Sequence, residues 1–147
     1  MQQITPRLIE YRSREFELAC RLRYELFFAR HNLPLSIVRD PQQQDYFHGV
    51  IIKPEEVIAY GQLVPHPNKI YQVCQMVVAP AYQQQGFGRQ ILLFLIDLAT
   101  QKQAIALTLN ARLTAIGFYQ KLGFQTHGKQ FPSQTTGVMH ITMNRKL

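Results

Sequence analysis

Between Tyr71 and Arg89 the chain reads YQVCQMVVAPAYQQQGFGR, an order of residues that leaves few ways to fold. The β-branched first part has the composition of a strand and stops at Pro80. A short polar turn follows, then Gly86-Phe87-Gly88-Arg89, then QILLFLIDLAT, whose apolar spacing predicts a helix. A strand that delivers glycines to the start of a helix suits phosphate. Glycines leave backbone N–H groups uncovered, and the helix N-terminus adds about half a positive charge aimed at the anion. The stretch therefore predicts a phosphate-bearing ligand.

Spacing separates the phosphate loops that could be meant. A P-loop needs Gly-Lys followed by Ser or Thr, and the chain has no such triplet. The dinucleotide loop needs Gly or Ala three residues after Gly88, where Ile91 stands, and an acidic residue about 20 positions on, where the chain reads ALTLNAR. What fits is Gln83-x-x-Gly86-x-Gly88, preceded by Val78-x-Pro80. The C-terminal third adds a second pattern. Ala104–Leu109 reads as a short buried strand, ARLTAIGFYQKL as a helix, and Gly123-Phe124 as its stop. Together the two stretches resemble the GCN5-related N-acetyltransferases (GNAT). That family carries Gln/Arg-x-x-Gly-x-Gly/Ala for acetyl-CoA and, after its fifth strand, Ala-x-x-Phe-Tyr-x-x-x-Gly-Phe. Ala115, Phe118, Tyr119, Gly123 and Phe124 fall at those spacings.

The resemblance extends over nearly the whole chain and implies a single N-acetyltransferase domain over residues 1–147. It implies an α/β (α+β) fold: a mixed, largely antiparallel sheet of six to seven strands, helices on both faces, and fourth and fifth strands that splay apart. It implies acetyl-CoA as co-substrate, no metal, and direct attack by an amine in a ternary complex. In the family the pantetheine arm pairs with the fourth strand like an added strand. Carried onto this chain, those backbone groups belong to Met76 and Val78, and an N–H there facing the thioester oxygen would be an oxyanion donor. With Gln83 opening the motif, the amides of Gln84, Gln85, Gly86, Phe87, Gly88 and Arg89 would wrap the pyrophosphate, and Arg89 would add charge. Arg112 stands where the family often has a cofactor-orienting Asn; it could instead reach a phosphate, and Asn110 is the nearest amide that could substitute.

Tyr119 is the candidate general acid, since a phenol near pKa 10 stays protonated at neutral pH and can donate to a leaving thiolate. Sequence does not identify the base. Gln72 and Gln75 stand where some family members place a carboxylate. Glu25, Asp45, His48, His66 and His140 are the other candidates, with a water relay as a further route. The missing carboxylate and Arg112 keep open a non-catalytic acyl-CoA sensor on the same fold. The acceptor is a small amine or peptide amine, and the edge strands could pair two copies into a homodimer.

Composition sets the outer bounds. With 147 residues, 46% of them apolar and 11% aromatic, the chain reads as one globular unit. Its longest apolar run, Ile91–Ile96, is far short of the ~20 residues of a membrane span. MQQITPRLIEYRSRE has no apolar signal core, so a cytoplasmic chain is expected. Cys20 and Cys74 read as reduced core thiols, not as a metal or redox pair. Sixteen Lys and Arg against nine Asp and Glu give +7, which favours an anionic ligand such as coenzyme A. The positive charges are dispersed, which disfavours nucleic acid.

The remaining elements follow from periodicity and punctuation. Leu8–Arg12 reads as a first strand. Ser13 reads as the N-cap of a helix to about Arg30, with Phe16, Ala19, Cys20, Leu22, Leu26 and Phe27 on its inner face. His31–Gln44 is irregular and, by the resemblance, shapes the acceptor pocket. Strands are expected at Tyr46–Ile52, Val57–Val64, Ile70–Ala79, Gln125–Gly128 and Val138–Asn144, with a loop containing Pro132-Ser133 between the last two.

Overall fold

Ser13 starts the first helix in the way its side chain allows: its hydroxyl accepts from the Phe16 N–H at 3.1 Å, with Glu15 and Glu17 in the first turn. This opens a computed structural model that describes residues 4–147. Met1–Gln3, the start of the stretch without a signal core, lie outside the described residues. The helix, α1, spans Arg14–Phe27 and not the expected length to Arg30. Phe28 leaves helical geometry (φ −126°) and buries its ring with Phe16, Cys20 and Val38, so the chain turns off the axis there. Three 3₁₀ turns, Ala29–His31, Leu35–Val38 and Pro41–Asp45, make up the irregular stretch.

Seven strands form one sheet: β1 (Arg7–Ile9), β2 (Phe47–Lys53), β3 (Glu56–His66), β4 (Ile70–Val78), β5 (Ala106–Arg112), β6 (Gln125–Pro132) and β7 (Met139–Lys146). Their order is β1-β2-β3-β4-β5-β7-β6, and only β4 and β5 run parallel. The first strand is shorter than expected because Arg12 has φ +66°, which ends extended geometry. The sixth runs past the expected Gly128 to Pro132, and the loop between the last two strands begins at Ser133. Pro132 is tolerated because β6 is an edge strand with no second neighbour to donate to.

Between β4 and β5 lies the helix α2 (Phe87–Gln101), and after β5 the short helix α3 (Ile116–Gln120). Here the expectation of a helix from Ala111 fails. Ala111 and Arg112 belong to β5 because β7 pairs with it along its whole length, ending at Arg112 opposite His140. Ladder pairing overrides the helical pattern of ARLTAIG, and only a 3₁₀ turn at Leu113–Ala115 separates the strand from α3.

The helices cover opposite faces. Val50, Tyr60 and Val77 pack with Ala19 of α1. On the other face Ile51, Leu63 and Val73 pack with Ile91, Leu92 and Leu95 of α2, together with Tyr119 and Phe124. Gly61 marks the closest approach of α2: a Cβ there would lie 2.7 Å from Met76 Sδ and 2.9 Å from Leu95 Cδ1. Opposite Gly61 the ladder slips one residue between Tyr60 and Gln62, and β4 takes up the extra residue at Gln75, whose φ is +56°.

Candidate active site

The parallel ladder between β4 and β5 is short. Ile70, Tyr71 and Gln72 pair with Ala106, Leu107 and Thr108, and beyond them the strands part. The unpaired edge of β4 from Val73 to Val78 borders the gap. Ala79 donates its N–H to Ile58 of β3 at 2.8 Å, so by strand alternation the backbone groups of Val78 face away from β3, into the gap. Its carbonyl accepts from Gln83 Nε2 at 3.0 Å, which leaves the Val78 N–H as the free backbone donor there.

At one end of the gap stands the glycine turn. Gln84 (φ +62°) and Gly86 (φ +88°) both sit in the left-handed region, and Gly86 is the N-cap of α2. No side chain caps the helix and its first turn contains no acidic residue, so its N–H groups and dipole point outward uncompensated. A Cβ at Gly86 would meet nothing within 4 Å, so the turn is open. Gln83, Gln84, Gln85 and Arg89 are exposed, while Phe87 is half-buried against Tyr82, the ring centroids 6.0 Å apart. These residues present amide donors and one guanidinium to an anion.

A cavity of about 770 Å³ borders the gap, lined by residues from both faces of the sheet. Leu107, Leu109 and Ala111 of β5 point into the core under α2, so Asn110 and Arg112 point to the face that α1 covers. The Arg112 guanidinium lies over the Phe27 ring of α1 at 4.9 Å from its centroid. Arg112 is therefore directed away from the glycine turn. Asn110 accepts from Thr142 Oγ1 at 3.0 Å on that same face. His140, opposite Arg112 in the ladder, shares it. Tyr119 enters from the α2 side, beside Phe118 and Phe124. Tyr119, Asn110, Arg112, His140 and the β4 residues Gln72 to Met76 all line this one cavity.

The electrostatics of the lining groups are distinct. Burial, with a smaller push from Cys74 and an opposing pull from Arg112, raises Tyr119 to about 12. The Cys74 thiol is likewise pushed up to about 12, chiefly by burial. His140 Nδ1 lies 2.7 Å from the Val138 carbonyl; a carbonyl can only accept, so Nδ1 carries a hydrogen, and in the neutral ring the lone pair is on Nε2. The ring is stacked on Phe131 at 24°, which fixes its plane.

The other base candidates stand elsewhere. His48 is buried and fully engaged: Nε2 donates to the Gln43 carbonyl at 2.7 Å, and Nδ1 accepts from the Tyr60 hydroxyl at 2.6 Å. His66 Nε2 pairs with Gln72 Oε1 at 2.7 Å, outside the cavity wall. Glu25 and Asp45 are exposed and do not line it. Gln75 is held by Arg23, whose Nε donates to Gln75 Oε1 at 3.2 Å. Sequence alternation treats His48 and His140 alike; their ring partners, set by tertiary contacts, separate them.

A short parallel ladder, a gap beside an uncapped helix start and a tyrosine at its inner end place the chain among acyl-CoA-type acyltransferase folds. The model of the acetyltransferase (GNAT) family matches residues 6–124, and the chain belongs to that family. Uncharacterized protein YyaT of Bacillus subtilis (strain 168) is 26% identical over 110 residues, 74% of this chain and 71% of that one. Among solved structures, Escherichia coli ElaA superposes with a TM-score of 0.82 at 20% identity, over 98% of this chain and 100% of its own. An aminoglycoside 6'-N-acetyltransferase complexed with coenzyme A gives 0.77 at 11% identity, over 96% of each chain. At these identities the structural likeness is one of fold. No helix among the described residues is long and apolar enough to cross a membrane.

Proposed function

We propose that the protein is an acyl-CoA-dependent N-acyltransferase that transfers acetyl from acetyl-CoA to a primary amine within a ternary complex. The observation that carries this reading is the gap between β4 and β5: it opens beside the uncapped α2 terminus and holds Tyr119 on one face and His140 on the other. Coenzyme A would set its diphosphate on the amides of Gln84 to Arg89 and its pantetheine arm along Met76 and Val78. Acetyl-CoA supplies an activated acyl group, so the chain need only align, polarise and move protons.

His140 Nε2, its lone pair free and its ring fixed, takes the proton from the attacking amine. As the new C–N bond forms, the free N–H of β4 steadies the charge on the carbonyl oxygen. The C–S bond breaks and Tyr119 gives its proton to the departing sulfur. Burial weakens Tyr119 as an acid, but the same dry surroundings make the thiolate a stronger base, so donor and acceptor stay matched. Cys74 is the only thiol in the cavity, and its raised pKa keeps it protonated and a poor nucleophile, which favours direct attack over an acyl-enzyme.

Thiol release from acetyl-CoA, measured across a panel of primary amines, tests the proposal. Amine-dependent release is expected. The sensor alternative, favoured by Gln72 and Gln75 where a carboxylate might stand, predicts acetyl-CoA binding with no amine-dependent release, and that result would replace the transfer reading.

A further inference from the structure

Among the residues lining the cavity there is no Asp and no Glu. Arg112, the one Arg or Lys in that lining, has no ion-pair partner among the described residues. The ion pairs among the described residues join Arg7 to Glu15, Arg14 to Glu55 and Arg39 to Glu17, all away from the gap. Arg112 is half-buried and pairs only with the face of Phe27. Arg30 stands near enough for its charge to depress Arg112 further, after burial. Behind the β4 wall lies Arg23, 4% exposed, its Nε on Gln75 and its guanidinium over the Tyr60 ring at 5.1 Å. A guanidinium partly withdrawn from water and without a carboxylate is better satisfied when something anionic completes it.

The geometry points to an acceptor that carries an anionic group, a carboxylate or a phosphate, beside its amine, with Arg112 as the residue that binds it. Arg112 is free for this role because it faces α1, away from the glycine turn. A guanidinium seated over an aromatic ring, its Cζ 4.9 Å from the centroid, can present N–H groups as a fork that fits two oxygens of one anion. The uncompensated charge also acts on the nucleophile. A positive field disfavours ammonium and favours the neutral amine that attacks, so the cavity lowers the demand on the base while the acceptor's own anion holds it in place. Polyamines and other polycations meet the repulsion of Arg112 there, with no carboxylate in the lining to offset it.

The kinetic arm of the test rests on the transfer reading above; the binding arm does not. Four acceptors are compared: O-phosphoethanolamine, β-alanine, ethanolamine and spermidine. In kcat/KM for thiol release, the two anionic amines should exceed ethanolamine by at least about tenfold, with spermidine lowest, in line with one charge-assisted pair. The phosphate and carboxylate arms identify which anion fits. Arg112→Gln should bring the anionic-to-neutral ratio to within about twofold, and Arg112→Lys should restore part of it. In parallel, calorimetric titration of the coenzyme A-loaded protein with the same compounds reads the preference without turnover. Anion preference in binding with no release from any amine would retain the Arg112 assignment and remove the transfer reading. Equal binding of anionic and neutral amines, or a ratio unchanged in Arg112→Gln, overturns the inference.

Discussion

A methyl group built on Gly88 would lie 3.5 Å from Cζ of Phe118, and equally 3.5 Å from Cγ2 of Val78. The start of α2, the ring on α3 and the end of β4 thus meet at one point. A separation of 3.5 Å is ordinary contact, so Gly88→Ala should fold and bind coenzyme A nearly as the parent does. Gly86→Ala has free space but φ +88°, and should lose about 1–2 kcal/mol in chemical denaturation. Gly86→Asp adds a carboxylate to the same turn and should abolish coenzyme A binding in a titration. Retained binding would move the phosphate site elsewhere.

Tyr119→Phe should lower kcat by about ten- to a thousandfold while acetyl-CoA affinity holds, as expected for lost proton donation. The pH dependence has a definite sign. The phenol acts protonated, and burial lifts it from 10.0 to about 12, so its contribution survives up to strongly alkaline pH and is lost only as pH rises through about 12. Any decline in kcat between about pH 8 and 10 must then persist in Tyr119→Phe. Its disappearance in that variant would show the phenol titrating far lower.

His140→Gln removes the lone pair while leaving room for a polar group, and turnover should fall by about a hundred- to ten thousandfold. Added imidazole should restore part of it to His140→Ala, which leaves a cavity of suitable shape. Full activity in both variants would pass the base role to solvent.

His48 supplies a stability prediction. Burial, against the opposing pull of its bond to Gln43, lowers it below 6.5, so the unfolded chain takes up a proton that the folded chain resists. Its stabilising contribution is present above about pH 6.5 and is lost as pH falls below that value. Tm should drop between about pH 7 and 5, and His48→Gln, although less stable at neutral pH, should show a flatter slope. Parallel slopes in the two proteins would assign the acid sensitivity to other groups.

Local chemistry carried much of this into the sequence. Ser13 caps α1 through its own hydroxyl, and the bare start of α2 follows from Gly86 and the lack of an acidic first turn. The position of Tyr119 followed from spacing to Gly123-Phe124. Long-range pairing carried the rest. Whether Arg112 ends a strand or opens a helix depends on β7, whose His140 lies 28 positions away in sequence (140 − 112 = 28), and that register also decides which face Arg112 points to. The bulge at Gln75 depends on Gly61 of the neighbouring strand making room for Met76. No local pattern reports such partners.

Splayed strands leave a gap that side chains line from both faces of the sheet. With the nucleotide end of coenzyme A at the start of α2, as proposed, the side of the gap at Arg112 would be left for the amine, so neither reactant would have to withdraw for its counterpart to enter or leave. Spent coenzyme A should accordingly compete with fresh acetyl-CoA and leave traffic of the amine largely undisturbed.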